Sequence, residues 1–164
     1  MRAAVISDTH DAVFSTQEVL KRIAAEGVDT IIHCGDMTTS STAELFKGFC
    51  VYHAWGNNDF DTFGIKFALQ ECLPGSQSDR WIKCVFDGKA VAAVHIEHSS
   101  LFTGLMNSGA FDYIFVGHTH HKSDRTEGKT RIINPGAIGG ARRGPRGFII
   151  VDFAAGEIQD YLIE

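Results

Sequence analysis

The sequence predicts an α/β fold built on a sheet that is at least partly parallel. Three strand–loop–helix units follow one another within residues 3–70, and successive units of this kind form right-handed, parallel arrangements. From residue 81 onward the pattern changes to short apolar runs separated by turn residues, which is typical of β-hairpins. We therefore expect parallel and antiparallel strands in the same protein.

The first unit begins with an apolar run at residues 3–6. Ser15 and Glu18 then have the spacing of a capping box, which predicts that a helix starts at Ser15. Apolar residues recur at helical spacing after it, and Gly27 has the residue type that ends helices.

The second and third units repeat this pattern with shorter helices. A strand at residues 28–33 precedes a short helix from Ser41 to about Lys47, opened by a weaker capping box. A strand at residues 50–55 precedes a helix at Thr62–Gln70.

The second half of the chain is rich in strands. Asp87 and Gly88 predict a two-residue hairpin turn, and a helix is expected at residues 101–107. The predicted strands are Trp81–Phe86, residues 89–95, Tyr113–Val116, residues 122–126, residues 130–133, residues 147–153 and Glu157–Ile163.

Polar side chains follow the first three predicted strands at the points where these strands end. In chain order they are Asp8 and His10, then Asp36, then Asn57 and Asp59. Functional sites in open α/β sheets form at the carboxyl ends of strands. We therefore expect these side chains to lie close together.

Two imidazoles follow the predicted strand Tyr113–Val116, after Gly117. In extended backbone, alternate side chains point the same way, so His118 and His120 can face one point in space. Imidazole is the commonest protein ligand of metals. This stretch alone also fits a loop with scattered histidines.

The strand-end donors together suit a metal site. All of them carry oxygen or nitrogen, and none is a thiolate, which favours one or two divalent ions such as Mn, Fe, Ni, Zn or Mg. The set is Asp8, His10, Asp36, Asn57, His95, His118 and His120.

Composition excludes several classes of protein. The net charge of -5 argues against general nucleic-acid binding, because phosphate backbones require a basic surface. The four cysteines show no Cys-x-x-Cys pairing, which is typical of free thiols in a reducing cytosol. No apolar run approaches the roughly 20 residues that cross a bilayer, and no signal peptide is recognisable. We expect a cytoplasmic protein without a membrane partner.

The strand-end motifs resemble those of a known family. They are Asp8-x-His10, Gly35-Asp36, Gly56-Asn57-x-Asp59, His95 and Gly117-His118-x-His120, in the order of the calcineurin-like metallophosphoesterase signature. The resemblance covers nearly the whole chain. The small size and the Asn134-Pro135-Gly136 segment are similar to the compact phosphodiesterase subfamily of bacteria and archaea.

The resemblance implies a four-layer α-β-β-α sandwich, with two mixed β-sheets packed face to face and helices outside, as one domain over residues 1–164. It implies two divalent metal ions, manganese first among them, and a homodimer or homotetramer. One ion would lie between Asp8, His10, Asp36 and His120. The other would lie between Asp36, Asn57, His95 and His118, so that Asp36 bridges the two.

The resemblance also implies the reaction. Two bound cations lower the pKa of a bridging water, and the resulting hydroxide attacks phosphorus in line. We therefore expect a phosphodiesterase that hydrolyses a small phosphodiester. A phosphomonoesterase or protein phosphatase is the alternative enzyme, but those usually carry a leaving-group histidine and longer loops. A retromer-subunit-like scaffold is the non-catalytic alternative, although loss of the metal-site histidines would mark it.

The chain departs from the family pattern at two places. Asn58 stands where many members have the histidine that protonates the leaving group, and an amide cannot act as an acid near neutral pH. The mid-chain ligand is usually His-Gly, whereas this chain has His95-Ile96-Glu97-His98. We favour His95 as the ligand because it ends its strand; His98 is the alternative ligand, or a proton donor.

Four further residues are candidates for supporting roles. Asp59 is expected to orient the Asn57 loop rather than to bind metal. Asn134 stands in a loop that the family brings to the site, or in a simple turn. Arg142 and Arg143 could hold a phosphate, or form a solvated basic loop.

Overall fold

Two β-sheets form the centre of the protein in this computed structural model, which describes residues 1–96 and 99–163. The first sheet contains β1 (Arg2–Ile6), β2 (Thr30–His33), β3 (Cys50–Ala54), β4 (Gln77–Asp79), β10 (Arg146–Asp152) and β11 (Glu157–Ile163). The second contains β5 (Trp81–Phe86), β6 (Lys89–Val94), β7 (Tyr113–Val116), β8 (Ser123–Glu127) and β9 (Thr130–Asn134). Their strand orders are β11-β10-β1-β2-β3-β4 and β5-β6-β7-β9-β8.

Both sheets are mixed, as predicted. Strands β1 to β4 pair in parallel, and β10 joins β1 in antiparallel register. In the second sheet, β6, β7 and β9 are parallel, while β5 and β8 are antiparallel at the two edges.

Alternation of side chains along the strands creates the layers. In β1, Ala3 and Val5 face the second sheet, whereas Ala4 and Ile6 face the helices. The helices that cover the first sheet are α1 (Val13–Ala25), α2 (Ser40–Ala43), a 3₁₀ turn (Glu44–Phe46) and α3 (Thr62–Gln70), and α4 (Ser99–Asn107) covers the second. The predicted four-layer α-β-β-α sandwich is confirmed.

The helix starts differ from both predicted capping boxes. Helix α1 starts at Val13, and its N-cap residue Ala12 makes no side-chain capping bond. The chain leaves the preceding loop already turned, because the Val13 N–H donates to the Asp11 carbonyl. The cap of α2 is Thr39, whose hydroxyl accepts from the Thr42 N–H at 3.3 Å. The capping residues predicted at Ser15 and Ser41 were therefore wrong by three and two residues.

Strand β4 was not predicted. It is only three residues long, and Gln77, Ser78 and Asp79 give no apolar alternation. Its position depends on parallel pairing with β3.

Among the helices of the described residues, none has the length and apolar character needed to cross a membrane.

The contact between the sheets should dominate stability. Phe115 of β7 is fully buried between them and packs against the rings of Tyr113 and Phe153. We expect Phe115→Ala to lower the free energy of unfolding by about 3–5 kcal/mol, since it leaves a cavity that the sheets cannot close. Chemical denaturation measures this loss. Phe14→Ala is the control, because Phe14 is 85% exposed and its loss should change stability by less than about 0.5 kcal/mol. Equal losses for the two variants would contradict the inter-sheet placement.

Candidate metal centre

The loops that follow the parallel strands converge at one edge of the sandwich. Backbone hydrogen bonds join the loops after β1 and β2, from the Asp8 N–H to the Gly35 carbonyl at 2.9 Å and from the His10 N–H to the Asp36 carbonyl at 3.0 Å. The loop after β3 approaches equally closely, since a Cβ on Gly56 would overlap the Asp36 carboxylate. Only glycine fits there.

Most of the proposed ligands have left-handed backbone conformations. Such φ values are uncommon for residues with a Cβ and mark strained, functional loops. They are Asp8 (φ 53°), His10 (φ 44°), Asp36 (φ 59°), His118 (φ 79°) and His120 (φ 58°). The backbone at His118 and His120 is therefore not extended, and the expectation that both imidazoles face one point was wrong. They face two neighbouring clusters.

The first cluster contains Asp8, His10, Asp36 and His120. One ligand atom of each lies within 4.8 Å of the others. The Nε2 atoms of His10 and His120 are 3.1 Å apart. His120 Nε2 lies 3.1 Å from Asp8 Oδ1, and His10 Nε2 lies 3.4 Å from Asp36 Oδ2.

The second cluster shares Asp36 with the first and also contains Asn57, His95 and His118. Asp36 Oδ2 lies 3.4 Å from Nε2 of His95, which is buried directly after β6. The ring of His118 is 5.1 Å from that of His95, and its Nδ1 lies 3.0 Å from Asn57 Oδ1. The structure thus brings together the seven predicted ligands in two groups joined by one carboxylate. His98 lies outside the described residues.

Two main-chain carbonyls fix the histidine tautomers. His95 Nδ1 lies 2.7 Å from the Cys34 carbonyl, and His120 Nδ1 lies 2.8 Å from the Ala141 carbonyl. A carbonyl only accepts, so each Nδ1 carries the proton. Each Nε2 then presents its lone pair to the cluster, which is the arrangement of a metal-binding histidine.

The donor atoms fit a cation. Asp8 Oδ1 is buried and, within residues 1–96 and 99–163, accepts no hydrogen bond. A buried acceptor without a donor is costly, and here imidazole and carboxylate lone pairs point at the same space. Cys34 is not among the residues whose ligand atoms converge in the first cluster, and its side chain packs in the apolar core. Burial raises the pKa of its thiol well above the ordinary range.

The buried carboxylates make the electrostatic potential at the site negative. Burial alone would raise the pKa of Asp36, but the hydrogen bond and charge of His95, with help from Asn58, lower it to about 2. Burial would likewise lower the pKa of His95, yet Asp36 and Asp8 raise it to about 9. Metal binding requires the neutral imidazole, so a cation in this site competes with a proton.

The Asp59 carboxylate connects the loop after β3 to the loop after β2. Its Oδ2 accepts from the backbone N–H groups of Asp36 (3.0 Å) and Gly56 (2.7 Å), and its Oδ1 accepts from Thr38 (2.6 Å). The His53 Nε2 atom lies 3.2 Å from Oδ2. Burial would raise the pKa of Asp59, but His53 and these N–H groups hold it well below its usual range. The predicted orienting role therefore has a geometric basis.

Asn58 lines the cavity and donates two hydrogen bonds to Asp36. Its backbone N–H donates to Asp36 Oδ1 and its side-chain amide donates to Oδ2, both at 2.8 Å. Each carboxylate oxygen keeps a further lone pair for a metal. Asn58 thus holds the shared carboxylate in place.

The remaining candidates differ in their positions. Arg143 lines a cavity of about 570 Å³ over the clusters, together with Asn57 and Asn58. Arg142 does not line this cavity, and neither does buried Asn134, whose amide donates to Thr119 Oγ1 at 3.1 Å. Asn134 instead supports the loop of His118 and His120.

Sequence reasoning missed three kinds of residue at the site. Thr119, His121 and Ala141 line the cavity. Their only signal in the sequence is that Thr119 and His121 are adjacent to His120, and Ala141 has no such signal. Ser7 donates to the Asp8 carboxylate, and a hydroxyl beside a ligand carries no distinctive pattern. His53 looked like an ordinary strand residue, since its partner Asp59 is six residues away.

The Asp59 network should control metal affinity. Asp59→Asn leaves one acceptor oxygen in place of two and removes the charge facing His53. We expect the affinity for Mn²⁺ to fall by about 10- to 100-fold, because misplaced supporting groups misplace the ligands. Calorimetric titration with Mn²⁺ measures this effect. Asp61→Asn is the matched control, since Asp61 only caps α3 and asparagine caps equally well. Unchanged affinity in Asp59→Asn would remove Asp59 from the site.

Comparison with known proteins agrees with the motifs. The family model of the calcineurin-like phosphoesterase superfamily domain matches residues 1–156. Phosphodiesterase MJ0936 of Methanocaldococcus jannaschii is 26% identical over the full length of both chains. A solved structure of an archaeal phosphodiesterase superposes with a TM-score of 0.92 at 26% identity, over 99% of this chain and 100% of that one. Vacuolar protein sorting 29 of Cryptosporidium parvum superposes with a TM-score of 0.69 at 13% identity, over 99% and 96% of the chains, which shows the fold alone. The chain belongs to the calcineurin-like phosphoesterase superfamily.

Proposed function

We propose that this protein is a metal-dependent phosphodiesterase that hydrolyses a small phosphodiester by in-line attack at phosphorus. The cluster of Asp8, His10, Asp36 and His120, whose ligand atoms lie within 4.8 Å of one another, carries the proposal. The full-length similarity to a protein named phosphodiesterase supports the diester over other substrates.

The proposed ligands divide between two ions. Asp8, His10, Asp36 and His120 would hold one, and Asp36 would share its carboxylate with a second ion held by Asn57, His95 and His118. Oxygen and nitrogen donors without thiolate suit Mn²⁺, which we propose as the preferred ion, ahead of Ni, Fe, Zn or Mg. The Nε2 position of His95, 3.4 Å from Asp36, supports this histidine as the mid-chain ligand.

The chemistry divides between the ions and the chain. Bound cations acidify a water and draw charge from the phosphoryl oxygens. Asp36 would keep the ions at a fixed separation, and the two Asn58 donors would keep Asp36 from rotating. Asn57 contributes a neutral oxygen, which leaves the site positive enough to accept an anion. The exposed guanidinium of Arg143 lines the cavity and would donate hydrogen bonds to a phosphoryl oxygen.

The leaving group has no acid in the loop after β3. The Asn58 amide is occupied by Asp36 and has no proton to give near neutral pH. The proposed role of His98 as proton donor rests on the sequence alone. Esters with good leaving groups should therefore be the better substrates.

The alternatives have less support. A phosphomonoesterase or protein phosphatase would use a leaving-group histidine where this chain has Asn58. A scaffold would have no need for four histidines held beside buried carboxylates. We further propose that residues 1–164 act as one cytoplasmic domain in a homodimer or homotetramer, without general nucleic-acid or membrane partners.

Substrate class can be tested directly. We expect the Mn²⁺-loaded protein to hydrolyse bis(4-nitrophenyl) phosphate at least about tenfold faster, by kcat/KM, than 4-nitrophenyl phosphate. Two divalent ions, two aspartates and a bound hydroxide would leave a net charge of about +1, which matches a monoanionic diester better than a dianionic monoester. Release of nitrophenolate is followed with each of the five metals and with chelator. Faster monoester turnover would overturn the diesterase proposal, and no turnover with any metal would favour the scaffold.

The shared carboxylate has its own test. Asp36→Asn should lower kcat by at least about 100-fold, because a neutral amide cannot bridge two cations. Asparagine tolerates the left-handed backbone at this position, so the thermal unfolding midpoint should remain within a few degrees of the native value. Metal analysis should find fewer ions bound per chain. Retained turnover with full metal content would show that Asp36 does not bridge.

A further inference from the structure

An apolar groove runs along the outer side of α3, next to the candidate metal centre. It has a volume of about 330 Å³ and is lined by Trp55, Thr62, Phe63, Lys66, Phe67 and Gln70. The core-facing side of α3 is formed by other residues, namely Ile65, Ala68 and Leu69. The groove is therefore a separate surface that packing of the helix does not require.

The aromatic residues of the groove are exposed to an unusual extent. Phe63 is 82% exposed and Phe67 is 63% exposed. Their i, i+4 spacing places both on one side of the helix. Phe60, 84% exposed, precedes them on the turn into α3. Adjacent exposed apolar side chains of this size mark binding surfaces rather than ordinary surface residues.

Trp55 also lines the groove and is held in place. Its indole N–H donates to Ser78 Oγ at 2.9 Å, and Ser78 also lies 3.0 Å from His53 Nδ1. The ring is thereby anchored to β4, with its polar atom satisfied inside the protein. A fixed indole ring in the same groove as two phenylalanines suits a flat aromatic ligand.

The groove begins at the loop that carries two site residues. Trp55 is two residues from Asn57, so their Cα atoms are at most about 7 Å apart. Thr62, at the other end of the same loop, is four residues from Asn58. A ligand with its phosphate in the metal centre would therefore have the groove within reach of its ester substituents.

We propose that this groove binds an aromatic ring carried by one alcohol of the ester substrate. The inference rests on the proposed phosphodiesterase function. The volume is at the lower end of small-molecule sites, and a stable protein interface needs roughly 800 Å² on each partner. Lys66, Gln70 and Thr62 add polar atoms among the aromatic walls, so the ring is one with polar substituents.

The test compares two diesters of equal charge, diphenyl phosphate and diethyl phosphate, and records binding in the first milliseconds after mixing, before turnover. Trp81→Phe leaves Trp55 as the remaining tryptophan, and its fluorescence reports binding to the Mn²⁺-loaded protein. We expect diphenyl phosphate to bind at least about tenfold more tightly. Phe63→Ala and Phe67→Ala should each weaken diphenyl phosphate about five- to tenfold and leave diethyl phosphate unchanged. Leu162→Ala is the control, an exposed apolar side chain on β11, four strands from β3 and roughly 19 Å away.

The outcomes separate the groove from the reaction. Equal affinity for the two diesters, absence of binding, or equal weakening of both by the phenylalanine variants would overturn the groove proposal. A changed sedimentation coefficient in Phe63→Ala with an unchanged preference would also overturn it and would assign the surface to self-association. Preferential binding without any hydrolysis would keep the groove and remove the phosphodiesterase, whereas hydrolysis without a preference would do the reverse.

Discussion

The carboxylate of Asp36 is the interaction on which the candidate site depends. Its Oδ2 lies 3.4 Å from both His10 and His95, which follow strands in different sheets. The side chain is almost fully buried, and a buried carboxylate without compensating charge or hydrogen bonds is costly. The two Asn58 donors satisfy one lone pair on each oxygen, and the remaining lone pairs are left to the clusters. The face-to-face packing of the sheets is therefore also what brings the two halves of the site to one anion.

Hydrogen bonds between neighbouring loops hold the strained backbone around Asp36 in place. A left-handed conformation at a residue with a Cβ costs about 1–3 kcal/mol, and the loops after β1, β2 and β7 contain several. What fixes them is hydrogen bonding from buried groups: the Asp8 and His10 N–H groups bond to the neighbouring loop, and Asp59 accepts three backbone N–H groups. Metal-ligand atoms on loops fixed in this way need little reorganisation to bind a cation. The strained backbone therefore preorganises the site.

The sequence was most informative where a local pattern decides the structure. Thr62–Gln70 and Tyr113–Val116 were predicted with the bounds that the structure shows, because apolar periodicity and burial agree there. The motif order located every residue of the two clusters, since polar groups at strand ends have few structural reasons to exist. The sequence failed where tertiary pairing decides. Strand β4 exists through its pairing with β3, and the left-handed residues His118 and His120 bond to other loops, at Asp8 and Ala141. The His53–Asp59 contact was invisible for the same reason. A prediction from local periodicity cannot detect an interaction whose partners belong to different elements.

The occupied amide of Asn58 and the aromatic groove are consistent with one kind of substrate. Without an acid in the loop after β3, the departing alcohol must leave as an anion or take its proton from elsewhere. An alcohol oxygen attached directly to an aromatic ring has a pKa of about 10, as in tyrosine, well below that of an alkyl alcohol, and so it leaves more readily unassisted. A groove that holds an aromatic ring beside the metal centre would select esters that tolerate the missing acid. The aromatic side chains after Asn58 and the absence of a histidine at position 58 would then select the same substrates, namely aryl esters. One loop and the helix that follows it carry both features.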